Sequence, residues 1–147
     1  MLKGIDRKIS PELIKLLMEM GHGDELVLGD GNFPAASHAQ RLVRADGHGI
    51  VAMLDAILSL FPLDYAVDFT AVVMKYPGEK EPAVWSKYRE HLQKYPDGNK
   101  LFVMLPKPEF YERARKAYAV ITTGEQEGFA NIIIRKGIIK AENHENR

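Results

Sequence analysis

Of the five histidines His22, His38, His48, His91 and His144, one stands in a setting suited to moving protons. His22 lies in Met20-Gly21-His22-Gly23-Asp24, just past a helical pattern and just before an apolar run. Flanking glycines let another backbone or a ligand come close, and an imidazole exchanges protons at neutral pH. The same residues fit a surface histidine in a Gly-rich turn, and spacing alone favours that plainer reading. Asp30, in Gly29-Asp30-Gly31, follows a strand-like run, and strand ends form the ligand-facing rim of open α/β sheets. A turn carboxylate bonded to its own backbone is the alternative. Lys107, before Pro108, reads by itself as an exposed charge, and Asn131 as a turn donor opening a strand. Tyr111, Arg113 and Tyr118 read as packing residues, with Arg113 pairing a nearby acid.

Other chemistries are excluded or unsupported. There is no cysteine among the 147 residues, which removes thiolate catalysis, Cys-ligated zinc and iron-sulfur clusters. No two histidines stand four apart on one helix, and the P-loop, dinucleotide, zincin and nucleophile-elbow motifs are missing, so no metal site is expected. Twenty basic residues balance twenty acidic ones. Without a basic surplus or stripe no nucleic-acid partner is expected. The longest apolar run, Gly49 to Pro62, is broken by Asp55, so no membrane span is expected, and the N-terminus lacks the apolar core of a secretory signal. The expected compartment is the cytoplasm. A net charge of zero favours self-association.

The elements that must hold these residues read as one domain covering residues 1–147, of a size that buries a real core. Ser10-Pro11-Glu12 followed by Leu13, Leu16, Leu17 and Met20 predicts a capped helix that Gly21 stops. Strands are predicted at Glu25–Leu28, Ala39–Ala45, Asp68–Lys75, Leu101–Leu105, Tyr118–Thr122 and Asn131–Arg135. Helices are predicted at His48–Phe61, Pro82–Tyr95 and from Pro108 onward. The helix at 48–61 is apolar over most of its circumference, which predicts a second cover, read as another subunit. The last two strands are candidates for local pairing, and the polar tail at 139–147 is expected to fray. Interleaved helices and strands predict an α/β fold with a largely parallel or mixed central sheet.

Six fragments in one order are more specific than any single motif. They are Ile9-Ser10-Pro11-Glu12-Leu13, Glu19 to Glu25 around His22, Asp30 with Phe33-Pro34, Val43-Arg44-Ala45-Asp46-Gly47, Phe110-Tyr111-Glu112-Arg113-Ala114, and Thr123-Gly124-Glu125 before Ala130-Asn131. Together, from Ile9 to Ile138, they resemble the L-fucose mutarotase (FucU) family, which is related to D-ribose pyranase (RbsD). The resemblance implies an α/β subunit in a ring, commonly a decamer, with sites at subunit contacts. It implies cofactor-free exchange of sugar anomers, with no metal. It implies that His22 is the acid-base group, and that Asp30, Lys107, Phe129, Ala130 and Asn131 bind the monosaccharide. Asp30 is expected to orient either the imidazole or a sugar hydroxyl. Two positions depart from the family pattern, which has Arg at Lys107 and Tyr at Phe129. Lys keeps the charge without the planar fork, and Phe keeps the ring without its hydroxyl. These departures bear on the proton path and on pyranose-furanose exchange. L-fucose is the expected sugar. Ribose pyranase-like action on another aldose, or sugar binding without catalysis, are the alternatives.

Overall fold

The computed structural model describes residues 1–141. The order of elements is α1 (Pro11–Glu19), β1 (Glu25–Gly29), α2 (Ala35–His38), β2 (Leu42–Ala45), α3 (Ile50–Leu58), β3 (Phe69–Met74), α4 (Ala83–Leu92), β4 (Leu101–Leu105), α5 (Lys107–Lys116), β5 (Ala119–Thr123) and β6 (Ile132–Arg135). The α1 start is the predicted one: Ser10 Oγ accepts the Leu13 N–H at 3.1 Å, with Pro11 in the first turn. Of the predicted tail, residues 142–147 lie outside the described residues.

The six strands among the described residues form one sheet in the order β2-β5-β1-β6-β3-β4. β2, β5 and β1 run parallel, as do β3 and β4, while β6 is antiparallel to both of its neighbours. The sheet is therefore mixed. The expected local pairing of the last two strands does not occur, because β1 lies between β5 and β6. β6 passes along β1 in the opposite direction, from Ile132 beside Leu28 to Arg135 beside Glu25.

Side chains alternate across the sheet with a period of two. Leu26, Leu28, Ala71, Val73, Ala119, Ile121, Ile132 and Ile134 pack under α1, α3 and α4. Val27, Val72, Val120 and Ile133 pack on the opposite face with Phe33, Ala35, Phe110 and Ala114 of the α2 and α5 side. Burial on both faces explains why the strands read as continuous apolar runs. It also supplies the second cover of α3: α4 of the same chain packs on it, joined by His91 Nδ1 to Asp55 Oδ1 at 2.8 Å, so another subunit is not needed there.

One short element and one long-range ion pair escaped the sequence reading. One turn of helix, α2, is too brief to show a period, and it displaces the start of β2 from residue 39 to Leu42. Arg113 finds its acid far along the chain, gripping Glu25 with two bonds of 2.8 and 2.6 Å that tie α5 to β1. No helix among the described residues is long and apolar enough to cross a membrane.

Candidate functional site

At the C-terminal edge of the parallel strands lies a cavity of about 180 Å³ lined by Asp30, Asn32, Phe33, Met74, Lys107, Tyr111, Gly128, Phe129 and Asn131. This is the edge where open α/β sheets bind ligands, and the volume is below that of drug-sized pockets. Asp30 follows β1 and Lys107 opens α5, while Asn131 precedes β6. The antiparallel run of β6 is what brings Asn131 beside Asp30. Its side-chain Oδ1 accepts the Asp30 backbone N–H at 2.8 Å, which leaves its amino group as a donor.

Asp30 is 5% exposed. Burial pushes its carboxyl above the usual range, and the N–H groups of Asn32, Phe33 and Ala130 only partly offset this. The Asn32 bond is 2.9 Å long. The Lys107 ammonium lies 5.5 Å from the centre of the Tyr111 ring, and the Phe129 ring meets Tyr76 edge-on at 5.1 Å. Ala130 is fully buried and does not line the cavity; its carbonyl accepts the Tyr88 hydroxyl. The cavity thus offers one carboxylate, one ammonium and two side-chain amides around aromatic faces, a set that hydrogen-bonds vicinal hydroxyls while covering an apolar ring face.

His22 is elsewhere. It precedes β1, whereas Asp30 follows it, and a five-residue strand at roughly 3.3 Å per residue holds their ends more than about 13 Å apart. Within one chain His22 does not line the cavity and Asp30 does not touch the imidazole. The carboxylate that does is Asp64, whose Oδ1 lies 3.0 Å from His22 Nε2. Arg135, the last residue of β6, donates from Nε to Asp64 Oδ2 at 2.7 Å, and the Ala66 N–H donates to Oδ1 at 3.0 Å. The Asp64 side chain is 1% exposed. Burial opposes its charge, but the Ala66 amide, Arg135 and His22 outweigh that and bring its pKa down to about 2.

An ionised carboxylate only accepts, so His22 Nε2 carries a proton in both charge states and Nδ1 is the atom free to gain or lose one. The imidazole remains 44% exposed and stacks on Tyr65, with ring centres 6.4 Å apart. Gly23 is required beside it, for its φ is +88° and a Cβ there would sit 2.9 Å from the Arg135 guanidinium. Asp64 and Arg135 carry no motif that could have singled them out. They stand 42 and 113 residues from His22 in sequence and meet only through the sheet, where the Asp64 N–H bonds the Arg135 carbonyl at 3.1 Å.

The chain matches the model of the RbsD / FucU transport protein family over residues 3–139. It is 44% identical over 140 residues to the L-fucose mutarotase of Actinobacillus pleuropneumoniae serotype 5b (strain L20), covering 94% of this chain and 97% of that one. It is 45% identical over 146 residues to the fucose mutarotase of Homo sapiens, covering 94% of each. The solved structure of the Streptococcus pneumoniae fucose mutarotase in complex with L-fucose superposes with a TM-score of 0.87 at 45% identity, over 95% of this chain and all of the other (100%). Bacillus subtilis RbsD complexed with D-ribose shares the fold at 17% identity, with a TM-score of 0.73 over 95% and 100% of the two chains. From the ordered fragments, the sheet and these relatives alike, the chain belongs to the RbsD/FucU family.

Proposed function

We propose that this protein is an L-fucose mutarotase that binds the sugar in the Asp30 cavity and opens its ring with His22 from a neighbouring copy. The observation that carries the reading is the division of one chemical outfit between two ends of β1. The hydroxyl-binding set lies at one end and an oriented imidazole at the other, too far apart to act within one chain. A ring, a decamer in the family resemblance, would bring the His22 end of one subunit to the Asp30 end of the next. The cytoplasm is the proposed compartment.

Ring opening moves two protons. His22 Nδ1 takes the proton of the anomeric hydroxyl as the bond from C1 to the ring oxygen breaks and C1 becomes an aldehyde. The ring oxygen receives a proton from the imidazolium or through water. Rotation about C1–C2 and reversal of the same steps close the other anomer, with no net change in protons or electrons. Asp64 keeps Nε2 protonated and steadies the transient imidazolium. Asp30, Lys107 and Asn131 hold hydroxyls, and Phe129 covers an apolar face. General acid-base catalysis of this kind is worth about 100- to 10,000-fold.

Saturation-transfer NMR across a panel of aldoses tests activity and substrate together, with L-fucose expected to exchange fastest. His22→Ala is expected to lose the about 100- to 10,000-fold enhancement while retaining sugar binding. Mixing His22→Ala with Asp30→Asn subunits, denatured together and refolded, is expected to give roughly a quarter of sites both intact halves from random neighbours, read as recovered exchange at L-fucose concentrations well below the Kd of Asp30→Asn. No recovery in mixed assemblies that otherwise bind sugar sinks the shared site. Faster exchange of ribose than of fucose would instead favour the pyranase-like alternative. Binding without any catalysed exchange would favour a sugar-binding role, the reading toward which the departures at Lys107 and Phe129 point.

A further inference from the structure

Phe129 has a φ of +58°, in the left-handed region that an aromatic residue adopts only when its surroundings impose it. Those surroundings come from α4. The Trp85 indole N–H donates to the Phe129 carbonyl at 3.0 Å, and the Tyr88 hydroxyl donates to the next carbonyl, that of Ala130. Trp85 and Tyr88 are three residues apart and so share a helix face, and both are almost wholly buried. Burial also raises the Tyr88 phenol far above its ordinary pKa, so it remains a donor. Glu127, in the same loop, accepts the Val84 N–H at the start of α4 at 3.4 Å. On the other side, the Asn131 side chain is engaged by the Asp30 N–H. The segment from Phe129 to Asn131 is thus held between α4 and β1, with two consecutive carbonyls taken by side chains that never reach the cavity.

We propose that Trp85 and Tyr88 are positioning residues for sugar binding: they lock the Phe129 backbone in its left-handed turn, so that the Phe129 ring and the Asn131 amide face the cavity. This rests on the reading of that cavity as the sugar site. Their action falls on affinity, because they touch only the Phe129 and Ala130 carbonyls behind the ring and amide that face the cavity. Trp85 is the only tryptophan in the chain, so its emission reports on the anchor directly.

The test is titration of the full-length protein with L-fucose, reading Trp85 emission, alongside anomer exchange by NMR. Wild-type emission is expected to change saturably with sugar. Tyr88→Phe keeps the ring and removes one hydrogen bond, which converts to an about 2- to 10-fold rise in Kd and KM, with kcat altered less than twofold. Trp85→Phe, followed through the sugar's own NMR signals, is expected to move in the same direction. A lowered Tm with wild-type Kd in both variants overturns the proposal, as does a loss that falls on kcat. Wild-type protein that binds L-fucose without catalysing exchange would overturn the mutarotase reading alone, and the titration would still decide the anchor.

Discussion

Asp30 and Asp64 are both buried carboxylates at strand-flanking turns, yet their acidities move in opposite directions. Burial dominates at Asp30, where the N–H groups of Asn32, Phe33 and Ala130 offset it only in part and the Glu125 carboxylate adds repulsion. At Asp64 burial is outweighed by an amide, a guanidinium and an imidazole. The difference teaches that burial alone does not set the charge state; the number of donors that follow the group inside does. It also separates two tasks. A carboxylate short of donors is ready to accept hydroxyls from a ligand, whereas one saturated by Arg135 and His22 is fit to hold an imidazole in place.

The contrast can be broken at either member. Asp64→Asn removes the charge that orients His22, and hydrogen bonds to charged groups are worth about 1.5 to 3 kcal/mol. A fall of about 10- to 100-fold in kcat for anomer exchange is therefore expected, with KM held; an equal loss in KM would mean that Asp64 serves binding. The same carboxylate governs acid stability. Its folded pKa, about 2, lies below the ordinary 3.8, so its stabilisation is complete above about pH 4 and disappears as pH falls through about 2. That stabilisation is about 2 kcal/mol by linkage, and acid unfolding of wild type against Asp64→Asn, followed by circular dichroism, checks it.

Asp30→Asn is expected to behave the other way. Its raised pKa means that ionised Asp30 costs the folded state stability at neutral pH, so the neutral amide should hold or raise Tm. Sugar affinity should nevertheless fall about 10-fold, as a charged acceptor is replaced by a neutral one. Calorimetric Tm together with NMR titration separates the two effects, and a fall in Tm without loss of affinity would reverse the assignment. Phe129→Tyr carries the smallest expected change, a gain of about 2- to 10-fold in affinity or exchange rate from one hydrogen bond. No gain in either would show that the added hydroxyl finds no partner in the cavity.

Local physics was legible without coordinates. Ser10 and Pro11 announce α1 through a side-chain cap and a pre-set φ, and Leu101–Leu105 was bounded correctly because turn residues punctuate it on both sides. The strand-end position of Asp30 and the glycine-flanked turn of His22 were equally readable, since both follow from neighbours within a few residues. The family fragments carried the remaining candidates at Lys107, Phe129, Ala130 and Asn131.

By itself, then, the sequence determined the α/β class, most of the elements and the residue types able to handle a sugar, because these depend on short-range periodicity and turn chemistry. Only the tertiary structure decided that β6 runs antiparallel between β1 and β3, with Asn131 at one end beside Asp30 and Arg135 at the other beside Asp64. It also decided that His22 and the cavity occupy opposite ends of β1. Strand order and direction are set by how two layers of helices cover one sheet, a cooperative choice that no single window of residues encodes.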